Sequence, residues 1–144
     1  MTTPDRLRIS AGHLRLIIEH VRSGMPHEVC GLLGGVGGQA KEVFPVPNVA
    51  PDPATGFVME PQAQIDVLLT LEKRGWDLVA IYHSHPPGAR TDPSPTDVAQ
   101  AHYPEALNLL LVPDPSGHEV SVRAFTIRDG QVSEVPVVVL DEPV

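Results

Sequence analysis

Residues 78–86, Leu78-Val79-Ala80-Ile81-Tyr82-His83-Ser84-His85-Pro86, carry an apolar run straight into two histidines. Residues 78–82 read as a buried strand. Successive side chains of extended backbone point to opposite faces, so His83 and His85 share a face and can converge on one ion while Ser84 faces away. Residues 84–92 are a polar loop containing Pro and Gly, the kind that carries function on a rigid scaffold. The next four residues, Ser94-Pro95-Thr96-Asp97, have the form of a helix start, with Ser as N-cap, Pro at the first helical position and an acid at the third. Strand, loop and helix thus follow in order, which argues for an α+β or a three-layer α/β architecture.

The flanking elements fit that architecture. Ser10 can cap a first helix in which Leu14, Ile17, Ile18 and Val21 form one stripe that ends near Gly24 and Pro26. Residues 29–33 and 41–46, joined through Gly34, Gly35, Gly37 and Gly38, read as a hairpin. Residues 45–53 hold four prolines and read as a loop, with residues 57–59 as a short strand beyond it. Pro61 opens a second helix with Ile65, Leu68 and Leu69 on one face and Gly75 as its stop. After the third helix, residues 107–112 are a strand, residues 119–127 another, and Arg128-Asp129-Gly130 turns into a last strand to Leu140, so that the chain ends in a β-hairpin.

The 144 residues sit within the usual size of one domain, and residues 1–144 are read as a single one. Ten Lys and Arg against 18 Asp and Glu give a net charge of -8, without the basic cluster that nucleic acid or an anionic membrane surface requires. No nucleic acid and no membrane partner are expected. Cys30 is the only cysteine, so an intramolecular disulfide and every CxxC zinc or redox site are excluded, which points to a reducing, cytoplasmic setting. Flanked by Val29 and Gly31, its thiol reads as core. Residues 1–8 are charged and lack the apolar segment of a signal peptide, and the tail at 141–144 is too short for a domain.

The histidine pair alone is weak, since about one chain in three with seven His in this length carries an HxH by chance. A catalytic zinc site needs a third ligand and leaves a fourth position for water. Asp97 offers it from the first turn of the third helix, where the helix dipole keeps a carboxylate ionised. Capping is by itself a sufficient reason for both Ser94 and Asp97. Asp92, on the loop, is the rival and weaker ligand, because a loop carboxylate fixes an open site less well than one on a helix end. His27-Glu28 is not the start of an HExxH motif, since Gly31 stands where the second His belongs.

Glu28, His83-Ser84-His85-Pro86 and Pro93-Ser94-Pro95-Thr96-Asp97 together resemble the signature of the JAB/JAMM (MPN+, Mov34/MPN/PAD-1) zinc metalloprotease family, prokaryotic single-domain type: a Glu followed far downstream by HxHP and SxxD. Glu28-Val29-Cys30-Gly31-Leu32-Leu33 also resembles the segment around that family's catalytic Glu. One departure stands out, for 11 residues separate His85 from Asp97 where the family usually has ten. The extra residue falls at 87–92, where a loop absorbs it.

The resemblance implies a cytidine-deaminase-like three-layer α/β fold, a mixed β-sheet flanked by helices. It further implies Zn2+ held by His83, His85 and Asp97, with Glu28 as general acid/base and Ser94 helping to hold the oxyanion. The implied substrate is an amide bond after the C-terminal Gly-Gly of a ubiquitin-like or sulfur-carrier protein, and a homodimer is left open. Two other readings compete: a catalytically silent MPN-type scaffold, which usually loses motif residues, and a zinc hydrolase of small peptides or amino-acid conjugates, which differs only in its groove.

Overall fold

A computed structural model describes residues 3–141; the reading of the tail lies mostly outside them. The elements are β1 (Leu7–Ser10), α1 (Ala11–Gly24), β2 (Cys30–Val36), β3 (Gln39–Val46), α2 (Pro61–Arg74), β4 (Asp77–Ser84), α3 (Pro95–Ala99), β5 (Leu107–Pro113), β6 (Val120–Arg128), β7 (Gln131–Val135) and β8 (Val137–Leu140). The strands form one mixed sheet in the order β7-β6-β5-β4-β2-β3-β1-β8. The α/β class and the mixed sheet flanked by helices are as expected. Ser10 Oγ accepts from the His13 amide and starts α1, whose Ile17 and Val21 are buried against Leu33, Tyr82 and Leu109 on one face of the sheet. Cys30, Leu32, Val46 and Met59 form a second cluster with Phe57 and Val67. No helix among the described residues is long and apolar enough to cross a membrane.

Four local expectations change. β1 was not foreseen: four residues with Arg8 between Leu7 and Ile9 give too little pattern, yet both apolar side chains are fully buried and the strand pairs in parallel with β8 and β3. Residues 57–59 are not a strand but a loop carrying a single bridge, Asn48 to Met59. The core face of α2 is Ala63, Val67 and Leu71, whereas Ile65 and Leu69 are about half exposed. Both stripes have helical spacing, and the sheet beneath selected one of them.

The fourth change concerns the end of the chain. β6 and β7 do form the hairpin, but the expected last strand is two strands, and β7 and β8 lie at opposite edges of the sheet with only Pro136 between them. Proline has no N–H for the ladder, so pairing with β6 stops there, and the Pro136 carbonyl accepts from the Leu7 amide instead. A single residue spans a few ångströms, so the two edges meet at this point and the sheet is curled almost closed.

β4 lies at the centre, antiparallel to β2 and parallel to β5. Its register with β2 sets Cys30 opposite His83. Continuing two residues beyond that pair brings Glu28 opposite His85. The Val29–Ser84 step between them is held by the Ser84 amide donating to the Val29 carbonyl at 3.0 Å. Gly31 faces Tyr82 across this pairing, and a Cβ there would lie 2.3 Å from the Tyr82 ring. The position that defeats an HExxH reading is thus glycine because an aromatic ring lies over it.

Candidate active site

His83 is the last residue but one of β4, and His85 lies just past the strand end, with ring centroids 5.2 Å apart. Asp97 approaches from α3. Its Oδ2 lies 2.9 Å from His85 Nε2 and 3.2 Å from His83 Nε2. The ligand atoms of all three residues lie within 4.8 Å of one another. Asp92 is elsewhere, exposed and paired with the Arg90 guanidinium at 2.9 and 3.2 Å.

The arrangement demands a cation. His85 Nδ1 lies 2.8 Å from the Arg90 carbonyl, an acceptor, so Nδ1 carries a proton. In neutral His85, Nε2 is then a lone pair facing a carboxylate oxygen at 2.9 Å, and two acceptors hold that distance only around a proton or a metal ion. Without a metal the proton supplies it. Burial alone would lower the pKa of His85, but its hydrogen bonds to Asp97 and to the Arg90 carbonyl, with the charges of Asp97 and Glu28, raise it. Burial would likewise raise Asp97, but its contacts with His83 and His85 and the Ser94 amide hold it well below the usual carboxylate range. His83 Nε2, though close to Asp97, lacks hydrogen-bond alignment and is a buried nitrogen without a partner. Two imidazole nitrogens and one carboxylate oxygen are the donor types that an open zinc site uses, and a buried, orphaned nitrogen beside the shared oxygen fits such an ion.

Glu28 is 6% exposed, and its Oε1 is likewise buried without a hydrogen bond. Burial raises its carboxyl to about 7; Asp97 adds to the rise, and His85 opposes it. A carboxyl poised there can take and return a proton at neutral pH. Ser94 and Asp97 make a complete capping box: Ser94 Oγ accepts from the Asp97 amide at 3.0 Å, and Asp97 Oδ2 accepts from the Ser94 amide at 2.9 Å. Cap and ligand-type contacts are therefore compatible, and the Ser94 hydroxyl retains its proton for donation. Cys30 is fully buried, its thiol pushed up to about 12 by burial and the nearby Glu28, in keeping with a core role.

Three supporting residues escaped the sequence reading. Ser84 Oγ accepts from the Val29 amide at 2.9 Å and so anchors the backbone next to Glu28. Phe57 stacks on His83, centroids 4.5 Å apart and planes 24° from parallel. Asn48 donates to the Glu28 carbonyl at 2.9 Å. A Phe or an Asn in a proline-rich loop gives no periodic signal that would have found them. Beside His83 and Asp97 opens a cavity of about 300 Å³ with Phe57, Met59, Ile81, Leu110 and Phe125 in its walls. A larger cleft of about 430 Å³ lies at the far end of β4, around Arg8, Asp77 and Glu105, away from the histidines.

The family described as prokaryotic homologs of the JAB domain matches residues 10–128. A probable TtuB-protein conjugate cleaving protease of Thermus thermophilus is 37% identical over 134 residues, 93% of this chain and 83% of that protein. A desampylase of Haloferax volcanii is 36% identical over 121 residues, 78% of this chain and 84% of its own. A CysO-cysteine peptidase of Mycobacterium tuberculosis is 34% identical over 139 residues, 94% of this chain and 92% of its own. Among solved structures, a protein of Desulfitobacterium hafniense has a TM-score of 0.80 at 28% identity, covering 94% of each chain. A JAB1/MPN domain protein from Archaeoglobus fulgidus shares the fold, with a TM-score of 0.59 at 23% identity over 92% of this chain and 99% of that one.

Proposed function

The chain belongs to the prokaryotic JAB-domain family, and on that premise we propose that it is a zinc-dependent isopeptidase or peptidase. It hydrolyses the amide bond after the C-terminal Gly-Gly of a ubiquitin-like or sulfur-carrier protein, acting as a single domain in the cytoplasm. The observation that carries the reading is the meeting of His83, His85 and Asp97 on one point, with the buried, unpartnered carboxyl oxygen of Glu28 close enough to feel their charges. Relatives named as a conjugate-cleaving protease, a desampylase and a CysO-cysteine peptidase support the substrate class.

His83, His85 and Asp97 would hold the zinc, which when bound would supply a Lewis acid and a water acidic enough to react at neutral pH. Glu28 would take a proton from the attacking water and hand it to the leaving amine, so that the products would be a free carboxylate tail and an amine. Ser94 donates its hydroxyl proton to the developing oxyanion while its oxygen goes on capping α3. The apolar cavity beside His83 gives the substrate chain a wall that excludes water. A Gly-Gly tail has no side chains at the scissile bond and can run through a narrow approach in extended form.

Metal analysis of protein purified without chelator is expected to give one zinc per chain. The protein is expected to cleave carrier fusions through the Gly-Gly terminus and to lose most kcat/KM when the second Gly is changed to Val. Equal cleavage of both tails, or free dipeptides outcompeting every fusion, would transfer the reading to a small-peptide hydrolase. Protein that takes up no zinc and cleaves nothing is instead a scaffold.

A further inference from the structure

Between β3 and α2, residues 47–60 form a loop in which one side chain has every hydrogen-bonding position of its amide filled. Asn48 Nδ2 donates to the carbonyls of Glu28, at 2.9 Å, and Gly56, at 3.1 Å. Its Oδ1 accepts from the amides of Ala50 and Val58, both at 3.0 Å. A carboxamide has two donors and two acceptor lone pairs, so none is spare. Gly56 and Val58 bracket Phe57, whose ring lies stacked on His83. The Glu28 backbone is gripped twice by this loop, since its amide also donates to the Pro53 carbonyl at 2.7 Å.

The two histidines are steadied differently. His85 has its Nδ1 on the Arg90 carbonyl, the usual way in which the second ring nitrogen of a metal-ligating His is oriented. The His83 ring lies against Phe57 as well as against the His85 ring and Asp97, and Phe57 is held on both sides by Asn48. We propose that Asn48 is a positioning residue that sets Glu28 and the His83 ring relative to each other, one amide acting on the proton carrier through its carbonyl and on the metal ligand through Phe57. This rests on the roles given above to Glu28 and His83. Releasing the loop lets the His83 ring turn and lets the Glu28 carboxyl drift, and a displacement of about 1 Å at a reacting group is enough to slow a reaction strongly.

The test compares wild type, Asn48→Ala and Asn48→Asp, each with Glu28 intact and as Glu28→Gln. Zinc affinity is read by competition with a chromophoric chelator, and kcat and KM on a carrier Gly-Gly conjugate. Asn48→Ala is expected to weaken zinc by about 10- to 100-fold and to lower kcat by a similar factor, with KM within about twofold. In the Glu28→Gln background the same change should cost less than about threefold in kcat, because residues acting through one another are not additive. Asn48→Asp keeps the two accepted bonds, and with them the loop, and should show the same Glu28-dependent loss of kcat. Unchanged zinc affinity in Asn48→Ala overturns the proposal, and so does a kcat loss that is equal in both backgrounds when kcat is read at saturating zinc, which is what loop stability alone would give. Should Asn48→Ala not fold, the Asn48→Asp pair decides. A wild type that binds zinc but cleaves no conjugate defeats the functional reading and leaves the zinc comparison to decide this one; a wild type that binds no zinc defeats both.

Discussion

The two halves of the site are built by different physics. Glu28 and His83 stand where β2 and β4 pair, buried, with their backbone tied to neighbouring strands and to the 47–60 loop. Asp97 stands on α3, a helix of five residues, none of them buried, and Ser94 is its N-cap. A helix so short has little stability of its own; α3 is held by its capping box and by the contacts of Asp97 with the histidines. The strand half is therefore held by burial and backbone pairing, whereas the helix half shares its key carboxylate oxygen between cap and cluster. A buried strand end can hold a carboxyl near neutrality, while a helix start can keep one ionised; the site contains one of each, Glu28 and Asp97.

Changes on each side sharpen this contrast. The largest effect is expected from the strand half: Glu28→Gln should lower turnover by about 10²- to 10⁴-fold while zinc stays at one per chain, measured by steady-state kinetics and metal analysis. Lost zinc in that variant would break the division of labour. On the helix half, Asp97→Ala should release the metal and lose the bond that Asp97 Oδ2 accepts from the Ser94 amide, while the Ser94 Oγ cap on the Asp97 amide survives; Asp92→Ala should keep the metal and the whole capping box. Metal content together with thermal unfolding reads this pair, and metal loss from the Asp92 variant alone would reverse the assignment.

The smallest effect is a pH dependence. Glu28 sits near 7 in the fold against an ordinary 4.5, so folding favours its neutral form. Its contribution is fully present below 4.5 and is lost as pH rises to about 7. Metal-free Glu28→Gln protein should then be more stable than metal-free wild type at pH 8, by about 1–2 kcal/mol once water reaching the cavity is allowed for. The difference should vanish near pH 4. Urea unfolding at the two pH values measures it, and equal stability at pH 8 would mean that burial does not hold the carboxyl neutral.

Much of the helix half was legible in the sequence. Ser94, Pro95 and Asp97 state their geometry within four residues, because a capping box is a local bond pattern, and the structure shows it complete. The alternation that puts His83 and His85 on one side is equally local. The strand half was legible only as residue types. Nothing local says that Glu28 stands opposite His85, that Phe57 lies on His83, or that Asn48 reaches the Glu28 carbonyl, since each is a contact between segments set by tertiary packing. The same limit explains β1, whose four residues become a strand only with β3 and β8 beside them, and α2, where Ile65 and Leu69 gave as good a stripe as Ala63, Val67 and Leu71.

By itself, then, the sequence determined what short-range forces settle: where α1 and α3 begin, the β2–β3 and β6–β7 turns, the apolar strand that ends in two histidines, and an acidic chain without a basic surface. Tertiary structure alone decided the register of β2 on β4, the face of α2 that is buried, and the parting of β7 and β8 to opposite edges at Pro136. The physical reason is that hydrophobic burial and strand pairing reward contacts between any segments that fit. Which segments meet depends on the whole sheet closing on itself, a condition that no window of neighbouring residues contains.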